Sequence, residues 1–320
     1  MRPISRIYVS CYKADYWLAE ICITSIRYWY PQIPVSLIVD YSAGAFDTRR
    51  VERAWDVDVV PLERRVLKFY GRIEICFRPI AERFLYLDAD IALAGPVFER
   101  LESHATDFLV SGDMVDNPYA GWLKDLYYDY TRLLEYDKEF TFPGFVFNSG
   151  QFVGEAGMIH RSDFDGIIEW SSPPRILIPE VMWFYDQSVL NYMLPRLAQA
   201  GRITLSHCPF KRNPNDPTLN VDLDAIKGKR GEPYVIHWCG IKSPRLSTFP
   251  KGEVLEFYQE LFWERIGASR IVRQRETASR IATHYALRTK KRAYSMLPER
   301  VKSMWRARRA RRSVHGSLTG

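Results

Sequence analysis

Short, continuously apolar runs separated by helix-length stretches constrain this chain more than any other feature. Residues 6–12 (RIYVSCY) and 34–40 (PVSLIVD) read as strands, with a helix over 15–30 between them that carries Leu18, Ile21, Cys22, Ile26 and Trp29 at its apolar positions. A second helical stretch over 67–80 leads into FLYLDADIAL, closed by Gly95-Pro96. Strand, helix, strand, helix, strand at this spacing predicts a parallel α/β sheet with crossover helices. The runs do not alternate polar with apolar residues, as expected of strands covered by helices on both faces. Downstream, 121–140 reads as an exposed helix rich in Tyr and charge, and 141–154 (TFPGFVFNSGQFVG) as strand and turn. Residues 186–194 read as a helix stopped by Pro195, and 233–238 (PYVIHW) as a short strand after a loop over 209–233.

Charge divides the chain in two. The net +7 is the sum of a body over 1–264, with 29 Lys/Arg against 36 Asp/Glu, and a tail over 265–320, with 16 against 2. The body is acidic, so no nucleic-acid partner is expected of it. The tail reads as basic and helical, broken by Pro298. Beyond that proline Val301, Met304 and Trp305 share one helical face, and Lys302, Arg306 and Arg309 lie largely on another. Such a segment suits an anionic membrane surface. The five cysteines are scattered and unpaired in spacing, the N-terminus is too polar for a signal peptide, and no window is long and apolar enough to span a bilayer. The expectation is a cytoplasmic chain, peripheral on the inner face of the cell membrane.

Four Asp-x-Asp pairs occur: Asp56/Asp58, Asp88/Asp90, Asp163/Asp165 and Asp222/Asp224. Context separates them. The first alternates with Trp55, Val57 and Val59 like a strand with one wet face, the third precedes GIIEW like a helix start, and the fourth lies in a polar loop. Asp88 and Asp90 alone follow a continuous apolar run, Phe84–Leu87. Ligands of open parallel sheets bind beyond the carboxyl ends of the strands. In extended chain a two-residue step puts both carboxylates on one side. Their repulsion is relieved by a divalent cation, or the pair is a polar strand end held by backbone donors. A cation there suits an anionic ligand such as a nucleoside diphosphate. His237 ends the strand Val235-Ile236, and Gly240 and Lys242 follow, offering backbone N–H and positive charge to phosphate. An imidazole beside two carboxylates shifts the preference from Mg2+ toward Mn2+.

Taken in order, these blocks resemble the retaining glycosyltransferases typified by glycogenin and the bacterial lipopolysaccharide galactosyltransferases, over about residues 6–245. The blocks are FYGRI, RFLYLDADIAL, SGD, FNSG, YDQSVLN and IHWCGIK. The resemblance implies a GT-A fold, a Rossmann-like α/β domain with a mostly parallel sheet, here followed by the basic helical tail. It implies that Asp88, Asp90 and His237 ligate Mn2+ or Mg2+, and that Arg72, Asp113, Asn148, Asp186 and Gln187 surround the donor sugar. Asp186 and Gln187 would face the anomeric carbon, while Gly240 and Lys242 would serve the diphosphate. The chain departs from the pattern in two places: Gly240 and Lys242 stand one residue closer together, and the first strand ends in Cys11-Tyr12-Lys13 rather than an acidic pattern.

The resulting expectation is a metal-dependent hexosyltransferase using a nucleotide-diphosphate sugar, UDP-linked on the resemblance, and a glycan or lipid-linked saccharide acceptor. Two alternatives stay open. One is a sugar-phosphate nucleotidyltransferase, which needs a glycine-rich cradle after the first strand, where the first glycine here is Gly44. The other is a non-catalytic adaptor that binds membranes or polyanions through the tail. Each block also has a structural reading: Arg72 pairing with Glu74 or Glu82, Asn148 and Gly150 as turn residues, and Asp186 as a helix cap.

Overall fold

The computed structural model describes residues 2–63, 67–241 and 243–296. Its strands are β1 (Arg6–Tyr12), β2 (Val35–Asp40), β3 (Asp58–Val59), β4 (Arg83–Asp88), β5 (Ile91–Leu93), β6 (Phe108–Met114), β7 (Phe145–Glu155), β8 (Ile168–Glu169), β9 (Arg175–Ile176), β10 (Leu205–His207), β11 (Lys211–Arg212) and β12 (Val235–His237). Its helices are α1 (Tyr16–Trp29), α2 (Arg49–Trp55), α3 (Gly71–Glu74), α4 (Phe98–Glu102), α5 (Gly121–Leu126), α6 (Tyr130–Tyr136), α7 (Tyr185–Gln199), α8 (Leu223–Lys227), α9 (Gly252–Arg265) and α10 (Arg270–Ser295). They fall into two compact units, residues 1–241 with 250–266, and residues 242–249 with 267–320.

In the first unit a seven-stranded sheet runs in the order β10-β6-β7-β4-β1-β2-β3. The β1–β2, β1–β4, β2–β3 and β10–β6 pairs are parallel, and β7 runs antiparallel between β4 and β6. The fold is mixed α/β with a mostly parallel central sheet, as the apolar runs predict. Every residue of β2 is buried, and β4 is buried up to Asp88. Both faces of these strands are therefore covered. The chain passes from β1 to β2 on one side and returns to β4 on the other. This reversal opens a crevice at the carboxyl ends of β1 and β4, where Tyr12 and Asp88 lie.

A second sheet, β11-β12-β5, grows directly out of the first, because β5 begins three residues after β4 ends. Its register pairs His237 with Ile91 and Val235 with Leu93, antiparallel. Helices α1 and α9 secure it: Ser25 Oγ accepts from Leu93 N at 3.1 Å, and Tyr258 donates to the Leu93 carbonyl at 2.7 Å. Gly95 and Gly231 permit the close chain crossing beside this sheet. An added Cβ would lie 2.2 Å from the Glu232 carbonyl oxygen and 1.9 Å from that of Ala94, respectively.

Several local expectations change. The helix over 67–80 reduces to α3 and a following 3-10 turn, Ile75–Phe77, and the helix over 121–140 splits into α5 and α6. Pro195 does not stop its helix but lies inside α7, which continues to Gln199. Losing one backbone donor is tolerated there because Leu194 and Leu197 stay buried on either side of the proline. The loop over 209–233 holds β11 and α8. Four of the five cysteines are buried thiols, and Cys239 is exposed.

In the second unit α10 carries eight Lys/Arg and one Glu. The Ser269 hydroxyl caps it by accepting from Val272 N, and Arg280 Nε donates to the Pro244 carbonyl at 2.8 Å. No helix among the described residues is long and apolar enough to cross a membrane. The face carrying Val301, Met304 and Trp305, with Pro298, Lys302, Arg306 and Arg309, lies outside the described residues.

The glycine crossings generate a stability contrast. Gly231→Ala should destabilise by at least about 1–3 kcal/mol through overpacking against backbone. Gly121→Ala, whose Cβ would meet nothing within 4 Å, should be neutral or stabilise by up to about 1 kcal/mol. Urea unfolding of the two variants measures both.

Candidate active site

Asp88 ends β4 with its two oxygens in different situations. Oδ1 accepts from Arg72 Nη2 at 2.8 Å, from the Tyr86 hydroxyl at 2.6 Å and from Ser10 Oγ at 3.3 Å. Oδ2 faces Gly150, where an added Cβ would stand 2.6 Å from it and 2.4 Å from His237 Cε1. Asp90 follows on the turn into β5 and lies 3.1 Å, Oδ1 to Nε2, from His237. The β5–β12 register creates that approach across 147 residues of chain, and Trp238 N extends the pairing by donating to the Asp90 carbonyl at 3.0 Å.

Asp88, Asp90 and His237 therefore offer ligand atoms that all lie within 4.8 Å of one another. Two oxygens and one imidazole nitrogen form a donor set that suits Mn2+. The side-chain-free Gly150 lets Asp88 Oδ2 and the His237 ring come this close, since any Cβ there would clash with both, and the three converging ligand atoms fit a divalent cation. Burial raises the Asp90 pKa, but the charge and hydrogen bond of a His237 ring protonated on both nitrogens, with the charge of Arg72, outweigh it and leave the carboxyl below its ordinary value. Asp15, nearby at the end of β1, is pushed well above the ordinary range by burial and by the charges of Asp90 and Asp88.

Arg72 sits on α3, buried, and neither Glu74 nor Glu82 holds it. Its Nη1 donates to Ser149 Oγ at 2.8 Å and lies 3.0 Å from Asp186 Oδ2, its Nη2 binds Asp88, and its plane lies over the Tyr86 ring. Burial favours the neutral guanidine, but Asp186 and Asp88 overcome this and hold the cation charged. Glu74 is paired instead with Arg161, and Glu82 with Arg6. Asp186 lies in the first turn of α7 without capping it; Ser149 Oγ donates to its Oδ2 at 2.8 Å. Burial raises its pKa, and the Arg72 charge offsets only part of that rise.

Gln187 is anchored at both ends of its amide. Nε2 donates to the Leu126 carbonyl at 2.7 Å, and Oε1 accepts from Asn148 Nδ2 at 3.0 Å. Asn148 Oδ1 in turn accepts from Gly150 N at 2.9 Å. Asn148, Asp186 and Gln187 are thereby gathered onto the network that holds Asp88. Asp113 stands apart on β6, exposed, with Lys211 Nζ 3.7 Å away as its described partner. Gly240 takes a positive φ of 76° in the turn after β12, facing open space. Lys242 lies outside the described residues.

The other three Asp-x-Asp pairs do local structural work. Asp56 takes the left-handed position ending α2, the Asp163 carboxylate receives the His160 N–H, and Asp222 caps α8 by accepting from Ala225 N at 2.8 Å. Four side chains at the site escaped the motif reading: Ser10, Tyr86, Ser149 and Gln151. Gln151 carried a signal, as a polar residue inside an apolar strand. A buried amide requires partners, and this one meets His237 Nδ1 at 2.8 Å.

No family model and no curated protein sequence matches the chain. Solved structures do match in fold. The apo structure of WbbM, a bifunctional glycosyltransferase, matches at a TM-score of 0.56 and 14% identity, covering 88% of this chain and 52% of WbbM. This chain thus spans about half the length of that protein. The galactosyltransferase LgtC, solved with donor and acceptor sugar analogues, follows at 0.46 and 12%, covering 81% of this chain and 95% of LgtC. The inositol-1-phosphate CTP transferase from T. maritima gives 0.41 and 10%, covering 81% and 98%. The chain has a GT-A fold, which it shares over 88% of its length with WbbM.

The raised pKa of Asp186 has a defined pH signature. A carboxyl that holds its proton more tightly when folded contributes full stability below its ordinary pKa of about 4 and loses it as pH rises through the folded value. Asp186→Asn cannot ionise. Its melting temperature relative to the wild type should therefore climb between pH 4 and pH 8; a flat or falling difference would contradict the assignment.

Proposed function

We propose that this chain is a metal-dependent glycosyltransferase that moves a hexose from a nucleotide-diphosphate sugar, UDP-linked, to a saccharide or lipid-linked acceptor with retention at the anomeric carbon. The observation that carries the reading is the meeting of Asp88, Asp90 and His237 against Gly150, beside Asp186 and Gln187. Asp88, Asp90 and His237 would hold Mn2+ or Mg2+, which when bound neutralises charge on the departing diphosphate. Arg72 keeps Asp88 and Asp186 in place. Asn148 holds the Gln187 carbonyl oxygen, giving the donor sugar a wall whose polar groups are set before it arrives.

Asp186 is buried and held by Ser149 and Arg72, which suits a group that steadies positive charge at the anomeric carbon better than one that attacks it. Retention then follows from approach of the acceptor on the face the diphosphate leaves, with the leaving oxygen taking the acceptor proton. The nucleotidyltransferase reading lacks support at β1. The turn after that strand has no glycine and is closed on itself, with the Asp15 carboxylate accepting from Tyr12 N at 2.8 Å.

Acceptor binding is supported by aromatic surface next to Asp186. Trp183, Phe184 and Tyr185 are exposed, as are Trp122 on α5 and Phe69, whose ring lies 5.1 Å from that of Tyr185. The Trp183 indole donates to the Lys124 carbonyl at 2.6 Å, so its ring is fixed in place. Flat, fixed aromatic faces suit the C–H faces of pyranose rings. Helix α10 supports peripheral attachment to an anionic surface through its cationic excess, which on this reading is the inner face of the cell membrane.

A panel of nucleotide sugars tested for Mn2+-dependent binding and hydrolysis examines the core of the proposal. Asp90→Ala should lower Mn2+ affinity at least tenfold and abolish hydrolysis, as should EDTA for the wild type. Asp224→Ala should change neither. Hydrolysis indifferent to chelator and to Asp90→Ala removes the mechanism. Separately, Trp183→Ala should weaken binding of neutral disaccharides two- to tenfold, measured by saturation-transfer NMR, while UDP–Mn2+ affinity stays at the wild-type value.

A further inference from the structure

The geometry points to Gln151 as the positioning residue that decides which nitrogen of His237 faces the cation, a role that rests on the metal-centred reading above. Gln151 is fully buried in β7, opposite Leu87 of β4 and next to Gly150. Its amide can lie in only one sense. Nε2 donates to the Asn148 carbonyl at 3.2 Å, and turning the amide over would set carbonyl oxygen against carbonyl oxygen. Oε1 is therefore the atom that meets His237 Nδ1 at 2.8 Å. An acceptor at that position requires a proton on Nδ1.

The consequence lies at the other end of the ring. A neutral imidazole protonated on Nδ1 carries its lone pair on Nε2, which points at Asp90 Oδ1 from 3.1 Å. Two acceptors then face each other, and only a proton or a metal ion reconciles them. The opposite tautomer would place its proton on Nε2, donate it to Asp90 and close the site. Partners that fix the tautomer of a metal-binding histidine typically contribute about 10–100-fold in affinity. The residues that carry this also serve the donor wall: Asn148 offers its backbone carbonyl to Gln151 and its side chain to Gln187.

The test compares the full-length wild type with Gln151→Leu and Gln151→Glu. In 15N spectra of histidine-labelled protein without metal, His237 Nδ1 should be protonated in the wild type and in Gln151→Glu, and mixed in Gln151→Leu. Mn2+ titration followed by electron paramagnetic resonance should show a loss of about 10–100-fold for Gln151→Leu and a smaller loss for Gln151→Glu, which keeps an acceptor for Nδ1 but loses the donor to the Asn148 carbonyl. A bare Nδ1 in the wild type overturns the role even if Gln151→Leu does not fold. So does a Gln151→Leu variant that binds Mn2+ as tightly as the wild type. Absence of Mn2+ binding by the wild type itself overturns the metal-centred reading and this role with it, and is distinguished from the other outcomes by that measurement alone.

Discussion

A single buried cation organises the centre of this molecule. The Arg72 guanidinium joins Asp88 at the end of β4, Ser149 in β7 and Asp186 in the first turn of α7. Burying such ions costs several kcal/mol each, and for Arg72 the charges of Asp186 and Asp88 outweigh that cost. The cluster also ties its elements together. Removing one partner leaves the others buried without compensation, at about 3–5 kcal/mol, so three elements from distant parts of the chain have one permitted arrangement. The same cation, with Tyr86 and Ser10, occupies one oxygen of Asp88 and leaves the other facing Gly150.

The remaining parts of the centre are placed by backbone ladders. The β4–β7 pairing sets Gln151 against Leu87 and brings Gly150 to Asp88. The β5–β12 pairing sets His237 against Ile91, beside Asp90. A one-residue slip in either ladder would turn the relevant side chain to the opposite face. Register is protected by burial on both sides, and at the second sheet by glycines at 95 and 231 that no other residue could replace without a clash. Strands thus hold two of the donors, Asp88 and His237, and the two-residue turn between β4 and β5 holds Asp90, which is how a site keeps its geometry before any ligand arrives.

A mostly parallel sheet was legible because continuous apolar runs leave few alternatives to covered strands; the antiparallel β7 and the second sheet were not. Among the four acidic pairs only Asp88 and Asp90 ended such a run, and they are the pair that the structure brings together with a histidine, while the others proved to be caps and turns. Less legible were features decided by tertiary contact. Pro195 reads as a helix stop, yet burial of Leu194 and Leu197 carries α7 past it. Arg72 reads equally well as a surface partner of Glu74, and only the fold shows that Arg161 has taken Glu74 and that Arg72 faces inward. Ser149 lies in the FNSG block without a role of its own there, and Gln151 has no motif. Their roles arise from what β7 happens to face.

The acidity of the crevice bears on how a donor could bind there. Asp15, Asp88 and Asp90 share the end of the β1–β4 reversal, closely enough that the latter two raise the pKa of the first. Arg72 is already committed to Asp88 and Asp186. A diphosphate entering such a field meets repulsion that a polar wall alone does not remove. On the proposed reading, a cation held by the two acids and the imidazole would reverse the local sign and favour a diphosphate. Cation and donor then each improve the binding of the other, and by thermodynamic reciprocity to the same extent. On that reading the acidic pair, unfavourable to a diphosphate by itself, would become the reason a donor is held beside Asp186 and Gln187.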